Sequence, residues 1–322
     1  MQYENQYFIF DTPKTGSVKE RIRTALYTLK AGCWKLKMNL QLPKDPGEKK
    51  YNVSFCTIFK NEGPYLKEWI EYHKVVGIDH FYLYNNNSED DFQSVLQPYV
   101  DSGLVTLLDW PYNQAQMACY KDCVKRFRGE TKWLGFIDLD EFVTPKSTDD
   151  VYSFLQPFEK NRGAVMIYWK LFGTSGRFQR DMDGLVAEDF TVCWKKYCDI
   201  GKCFYNTRYG FNEDSPKNGI LHHRFCASLK GKDIPPVNLF DKVCCGNLHV
   251  ATQADFPIQI NHYFTKSYKE YAMKRSKGDV YFKINPHDEE YFYHHEMKCT
   301  DTDHAAYKYL IKLKKAMGCT GK

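Results

Sequence analysis

"NVSFCTIFKNEGPYLKEWIEYHKVVGIDHFYLYNNN", residues 52–87, sets the fold class of this chain. Its first eight residues are a short, nearly continuous apolar run, the pattern of a strand covered on both faces. Pro64 then suits the first turn of a helix, and Gly77 suits its end. Between them Leu66, Trp69, Ile70, His73 and Val76 recur at helical spacing and predict an inward stripe. "HFYLY" (80–84) reads as a second buried strand. The alternation continues: "DDFQSVLQPYV" (90–100) predicts a helix, "LVTLLDW" (104–110) a strand, residues 113–128 a helix and "WLGFID" (133–138) a strand. Strands separated by helices pair in parallel, within a sheet covered by helices on both sides. The fold class is α/β.

Open α/β sheets bind ligands beyond the carboxyl ends of their strands. Here the first strand is followed by Lys60-Asn61-Glu62 and the second by Asn85-Asn86-Asn87 and on to Asp91. The third ends at Asp109, and the fourth runs into Asp138-Leu139-Asp140. On a strand, side chains at i and i+2 share a face, so Asp138 and Asp140 are expected to point the same way. Like charges that close repel unless a cation lies between them, and a divalent ion is the usual remedy. The competing reading is a strand entering a turn with an Asp helix cap. No G-x-G-x-x-G and no G-x-x-x-x-G-K-[ST] occurs, so the backbone phosphate cradles are absent and a metal on Asp138/Asp140 would have to neutralise a diphosphate instead.

Bulk properties narrow the classes. The 322 residues are 43% hydrophobic and 16% aromatic, enough for a packed core. A net charge of +5 is too mild for a dedicated nucleic-acid binder. No run of 18 apolar residues and no secretory signal is visible, so the 12 cysteines are expected reduced, in a cytoplasmic protein. A zinc site at Cys193, Cys198 and Cys203 is the alternative, although no C-x-x-C pair occurs.

Residues 1–50 read as an extension. Val18, Ile22, Ala25, Leu26 and Leu29 recur at helical spacing beside Lys19, Arg21, Arg23 and Lys30, followed by the linker "LPKDPGEKK" (42–50). Such a helix either packs on the main domain or lies peripherally on the inner face of an anionic membrane. "HAAYKYLIKLKKAMG" (304–318) predicts a second basic helix, with Ala305, Tyr307, Leu310 and Leu313 inward. The expected organisation is an extension (1–50), a catalytic domain (51–275) and a helical tail packed on it (276–322).

"TIFKNEGPYLKEWIEYHKVVGIDHFYLYNNNSEDD", "WLGFIDLDEF", "YWKLFGTSGR" and "INHYFTKS", in this order over residues 52–275, together resemble glycosyltransferase family 92, related to the family 2 enzymes. The resemblance implies a GT-A fold, a nucleotide-sugar donor (often UDP-galactose), Mn²⁺ or Mg²⁺, and inversion at the anomeric carbon. The acceptor would be a glycan or lipid-linked oligosaccharide, as in the building of a surface polysaccharide. Carried over by motif, Asp138 and Asp140 would grip metal and donor phosphates, with His262 completing the metal's shell; a structural role for this histidine is the alternative. Lys60, Asn61, Glu62, Asn85 and Asp91 would lie by the nucleoside, with Gln116, Tyr120 and Asp122 reaching the base or ribose. Glu62 equally suits a helix cap. "GLVAEDF" (184–190) offers Glu188 or Asp189 as the base that takes the acceptor's proton, on a segment read as extended. The loop of Gly173, Thr174, Ser175 and Gly176 would approach acceptor or phosphate, and Lys266 the departing diphosphate. His222, His223 and Arg224 fit acceptor, phosphate or surface acids alike. Residues 195–220 depart from the family pattern, with only Lys202 and Arg208 loosely matching its basic positions.

Two rival functions stay open. A sugar-phosphate nucleotidyltransferase typically carries a glycine-rich, basic loop after its first strand, which "IFKNEGP" does not supply. An inactive glycan-binding module would have no need of an acidic pair.

Overall fold

A computed structural model describes residues 17–244, 256–276 and 288–319. Helix α1 (Val18–Leu40) and an extended linker lead into strict alternation: β1 (Tyr51–Phe59), α2 (Gly63–Val75), β2 (His80–Asn85), α3 (Phe92–Asp101), β3 (Val105–Asp109), α4 (Gln116–Phe127) and β4 (Thr131–Phe136). Next come β5 (Glu141–Pro145), α5 (Val151–Leu155), β6 (Ala164–Leu171), the single turn α6 (Val186–Asp189), β7 (Val192–Trp194) and β8 (Gly201–Asn206). A small antiparallel sheet holds β9 (Gly210–Phe211), β10 (Ala227–Leu229) and β11 (Lys232–Ile234). β12 (Val237–Asn238), β13 (Ile258–His262), α7 (Tyr268–Ser276), α8 (Glu289–Glu296), β14 (Cys299–Thr302) and α9 (Tyr307–Met317) complete the described chain.

The main sheet runs β3-β2-β1-β4-β8-β6-β13-β5, with β12 paired to β6. β3, β2, β1 and β4 are mutually parallel. β8 enters antiparallel between β4 and β6, so the carboxyl ends of β4, β6 and β13 all reach one edge. This is an α/β sheet covered on both faces and mostly parallel, with helices towards both ends of the chain.

β1 shows why its sequence is mostly apolar on both faces. Phe55 packs on Trp69 and His73 of α2, while its neighbour Cys56 faces Cys119 and Cys123 of α4. Leu66, Trp69, Ile70, His73 and Val76 are all buried, as the periodicity predicts. Gly77 ends α2 at φ +88, where a Cβ would meet Asp150 at 2.8 Å, so both conformation and space call for glycine.

The terminal elements differ from expectation. α9 packs on α2 through Tyr309, Leu310 and Leu313. Tyr307 turns outward, because Ala306 and Tyr309 complete the 3.6-residue stripe in its stead. The tail also carries a strand, β14, paired to β7. α1 rests on the body through Ala31, Trp34 and Met38, whereas the stripe read from sequence, Val18, Ile22, Leu26 and Leu29, is exposed. The described cysteines are free. Among the described residues Cys193, Cys198 and Cys203 do not gather into a metal-ligand group.

Candidate active site

The fourth strand ends one residue before Ile137, and Asp138-Leu139-Asp140 form the turn into β5. The two aspartates therefore do not share a strand face. Trp69 Nε1 donates to the carbonyls of Asp138 and Glu141 at 3.1 and 2.9 Å. The Asp138 amide donates to Glu141 Oε2 at 2.9 Å, and the Tyr263 amide to the Asp140 carbonyl at 2.8 Å. α2, β5 and the residue after β13 thus hold the turn rigid from three sides.

Each carboxylate has its own cation. Lys202 Nζ, wholly buried on β8, lies 2.6 Å from Asp138 Oδ2 and 3.4 Å from Glu141 Oε2. Burial alone would lower the Lys202 pKa, but the Asp138 and Glu141 carboxylates raise it above its ordinary value. Asp138 Oδ1 accepts from Tyr120 Oη at 3.1 Å and Gln116 Nε2 at 3.4 Å. Asp140 meets Lys274 Nζ, from the last turn of α7, at 2.5 Å, and His262 Nε2 at 3.5 Å. Burial works against ionisation of Asp140, yet Lys274, His262 and Lys266 hold it well below the usual carboxylate range. His262 is itself pushed down by burial, which outweighs the attraction of Asp140.

This turn opens into a cleft of about 800 Å³ at the carboxyl ends of β1, β4, β6 and β13. Lys60, Asn61, Glu62, Gln116, Asp138, Asp140, His223, His262 and Lys266 line it, so the structure brings together many residues singled out from the sequence. Glu62 does not cap α2: the Gly63 amide is satisfied by Asp90 Oδ2 at 2.7 Å, and the Glu62 side chain makes no cap bond. Burial pushes the Glu62 carboxyl up to about 7, partly offset by Lys266. His223 donates from Nδ1 to the Gly201 carbonyl, and burial, then Lys202, pull it down to about 3.

Other predicted residues lie elsewhere. Asn85 braces the loop after β2, bonding Asp109 and the Ser88 amide, and its neighbour Asn86 lines the cleft in its place. Asp91 holds Ser94 at the start of α3. Tyr120 is buried behind Asp138, and Asp122 accepts from Tyr84 on the covered side of α4. Thr174 gives its amide and hydroxyl to Glu296, and Ser175 Oγ accepts from the Thr191 and Val192 amides. The Gly173–Gly176 loop is thereby tied to the tail rather than turned to the cleft.

Glu188 and Asp189 also stand outside the cleft lining. Their segment is the helical turn α6, not extended. Glu188 pairs with Lys314 of α9 at 2.5 Å and Asp189 with Arg177 at 2.8 Å. Sequence reasoning missed Lys274, Trp169 and Glu270, which line the cleft. Nothing local to these residues marks them; only sheet order and α7 bring them in.

A family model, "Glycosyltransferase family 92", matches residues 49–210. The chain belongs to glycosyltransferase family 92. A family 92 protein of Ricinus communis is 41% identical over 146 residues, 42% of this chain and 26% of that protein. A galactan beta-1,4-galactosyltransferase of Arabidopsis thaliana is 31% identical over 125 residues, 35% of this chain and 25% of that one. Each alignment spans about a quarter of the relative's length. The crystal structure of S. aureus TarS 1-349 in complex with UDP overlaps 58% of this chain and 60% of its own, at 13% identity and a TM-score of 0.35, too loose a likeness to bear on the site. The family 92 match covers β1 to β8, and so both the Asp138–Asp140 turn and Lys202 beneath it.

Proposed function

We propose that this family 92 protein transfers a hexose from a nucleotide-sugar donor, on a GT-A fold, to a carbohydrate acceptor with inversion at the anomeric carbon. The observation that carries the reading is the braced Asp138–Asp140 turn opening into a cleft rich in lysine. UDP-galactose is the first donor to test, since the Arabidopsis relative is named a galactosyltransferase.

A divalent ion fits the residues present. Asp140 Oδ1 and His262 Nε2 face each other at 3.5 Å in the cleft, an oxygen–nitrogen pair that Mn²⁺ accepts and Mg²⁺ tolerates less well. Lys274 would have to leave Asp140 Oδ2 to open that atom. Bound there, the ion would offset the charge that develops on the departing nucleoside diphosphate. Asp138 is held in place by Lys202, Tyr120 and Gln116. Lys266 and the released Lys274 would turn to phosphate oxygens.

The acceptor oxygen must bond to the anomeric carbon as the carbon–diphosphate bond breaks, and its proton needs a carboxylate. Glu270 is taken by Ser267 and Tyr65, Asp138 and Asp140 by lysines. Among the described residues the Glu62 carboxylate accepts no hydrogen bond, and a pKa near 7 matches a general base at neutral pH. Glu62 takes over the role that Glu188 and Asp189 were expected to play.

The test is UDP release from a panel of UDP-sugars with Mn²⁺, Mg²⁺ or EDTA, on the purified chain. Turnover of one donor that EDTA stops and Mn²⁺ restores supports the reading. Pyrophosphate release from UTP and a sugar phosphate would favour the nucleotidyltransferase, and UDP-sugar or glycan binding without turnover the inactive module.

A further inference from the structure

Helix α1 carries two apolar faces, and the body uses one. Ala31, Trp34 and Met38 pack on the domain. Around the other side Val18, Ile22, Leu26, Leu29, Leu36 and Leu40 are between 56% and 73% exposed, with Cys33 exposed among them. Their spacing of four, four, three, seven and four residues keeps all six on one stripe of a helix. Contiguous exposed apolar surface of this kind marks a contact with something outside the chain.

Charge identifies the partner. α1 carries Lys19, Arg21, Arg23, Lys30, Lys35 and Lys37 against the single acid Glu20, a net +5. The whole chain's formal charge is also +5, so the remainder sums to zero and the entire excess lies on this helix. At 100° per residue Lys19, Arg23, Lys30 and Lys37 fall along one flank of the apolar stripe. A second copy of the helix would bring basic flanks together with no acidic row to meet them. An anionic lipid surface satisfies both features, taking the apolar stripe at its acyl boundary and the basic flank at its headgroups.

We infer that α1 docks this protein on an anionic membrane surface, with Ile22, Leu26, Leu29 and Leu36 inserted. The anchors suit the role. Asn39 Oδ1 accepts from Arg162 at 2.8 Å and from Asn161 at 3.1 Å, while Lys35 and Arg162 share Asp241. These contacts precede the amino end of β6, whereas the cleft gathers at the carboxyl ends, so docking leaves the cleft mouth unobstructed. The inference does not depend on what the cleft catalyses.

The experiment is co-sedimentation of the full chain with vesicles of phosphatidylcholine alone or with 30% phosphatidylserine, beside sedimentation velocity without lipid. Binding is expected only to the anionic vesicles. Lys19, Arg21 and Arg23 replaced together by Gln should weaken it about a hundredfold, at about fivefold per basic side chain; L26E/L29E should abolish it. Both variants change exposed side chains, so an unchanged Tm shows that the fold survives. Equal binding to neutral vesicles would overturn the inference, as would a dimer that L26E/L29E dissociates. So would binding seen only after residues 1–16 are removed, since the intact chain would then cover the stripe itself.

Discussion

Lys202 Nζ lies 2.6 Å from Asp138 Oδ2, with no side-chain surface left in water on the lysine and a third of the aspartate exposed. The contact couples β8 to the turn after β4 and puts a fixed positive charge beneath the cleft. It explains how an acidic pair backed by buried Glu141 persists without mutual expulsion.

Removing that charge should be costly. Lys202→Met leaves Asp138 and the fully buried Glu141 without their cation, and breaking such a pair is expected to cost about 3 kcal/mol. Urea unfolding at pH 7 measures it; a midpoint equal to wild type would show that the pair is not structural.

Asp140 makes a pH-dependent contribution. Its folded pKa is held below the unfolded value of about 3.9, so its stabilisation is complete above about pH 4 and is lost as pH falls through the folded value. Asp140→Asn, in EDTA, should lower stability by about 2 kcal/mol at pH 7, less than a fully buried pair because Lys274 is 46% exposed. The gap from wild type should narrow towards pH 2. A gap constant from pH 7 to 2 would place the effect elsewhere. The same variant should lose any Mn²⁺-dependent thermal shift with UDP.

Glu62 should set the ascending limb of activity. As a base with pKa about 7 it must lose its proton to work, so kcat/KM is expected to rise with pH and level off above about 7. Glu62→Gln should cost about a hundredfold or more in kcat and flatten that limb, while UDP binding by calorimetry stays intact. Loss of UDP binding with kcat preserved would return Glu62 to the nucleoside.

Glu188→Gln and Asp189→Asn are the complementary controls. Their partners, Lys314 and Arg177, lie outside the cleft lining, so transfer rates should stay close to wild type. A fall of about a hundredfold in either, the scale of a lost general base, would reinstate that residue as the base.

Much of this was written locally. The apolar run of β1, the stripe of α2 and the glycine at position 77 follow from periodicities of 2 and 3.6 and from one positive φ, all properties of neighbouring residues. The acidic pair and the polar residues after β1 are legible for the same reason, since strand ends in an alternating α/β chain converge on one edge. Asn85 against Asn86, or Tyr307 against Tyr309, differ by one or two residues, because loop geometry and a single turn of helix phase decide which side chain faces the cleft or the core.

By itself, then, the sequence determined the fold class, the strand–helix order and the edge at which the cleft opens. Tertiary structure alone decided that Lys202 and Lys274 pair with the two aspartates, across separations of 64 and 134 residues, and that Glu188 turns away to Lys314. Those pairings depend on β8 inserting between β4 and β6 and on α7 and α9 folding back. Such long-range order leaves no local pattern, because the energy that fixes it comes from burial shared among distant segments.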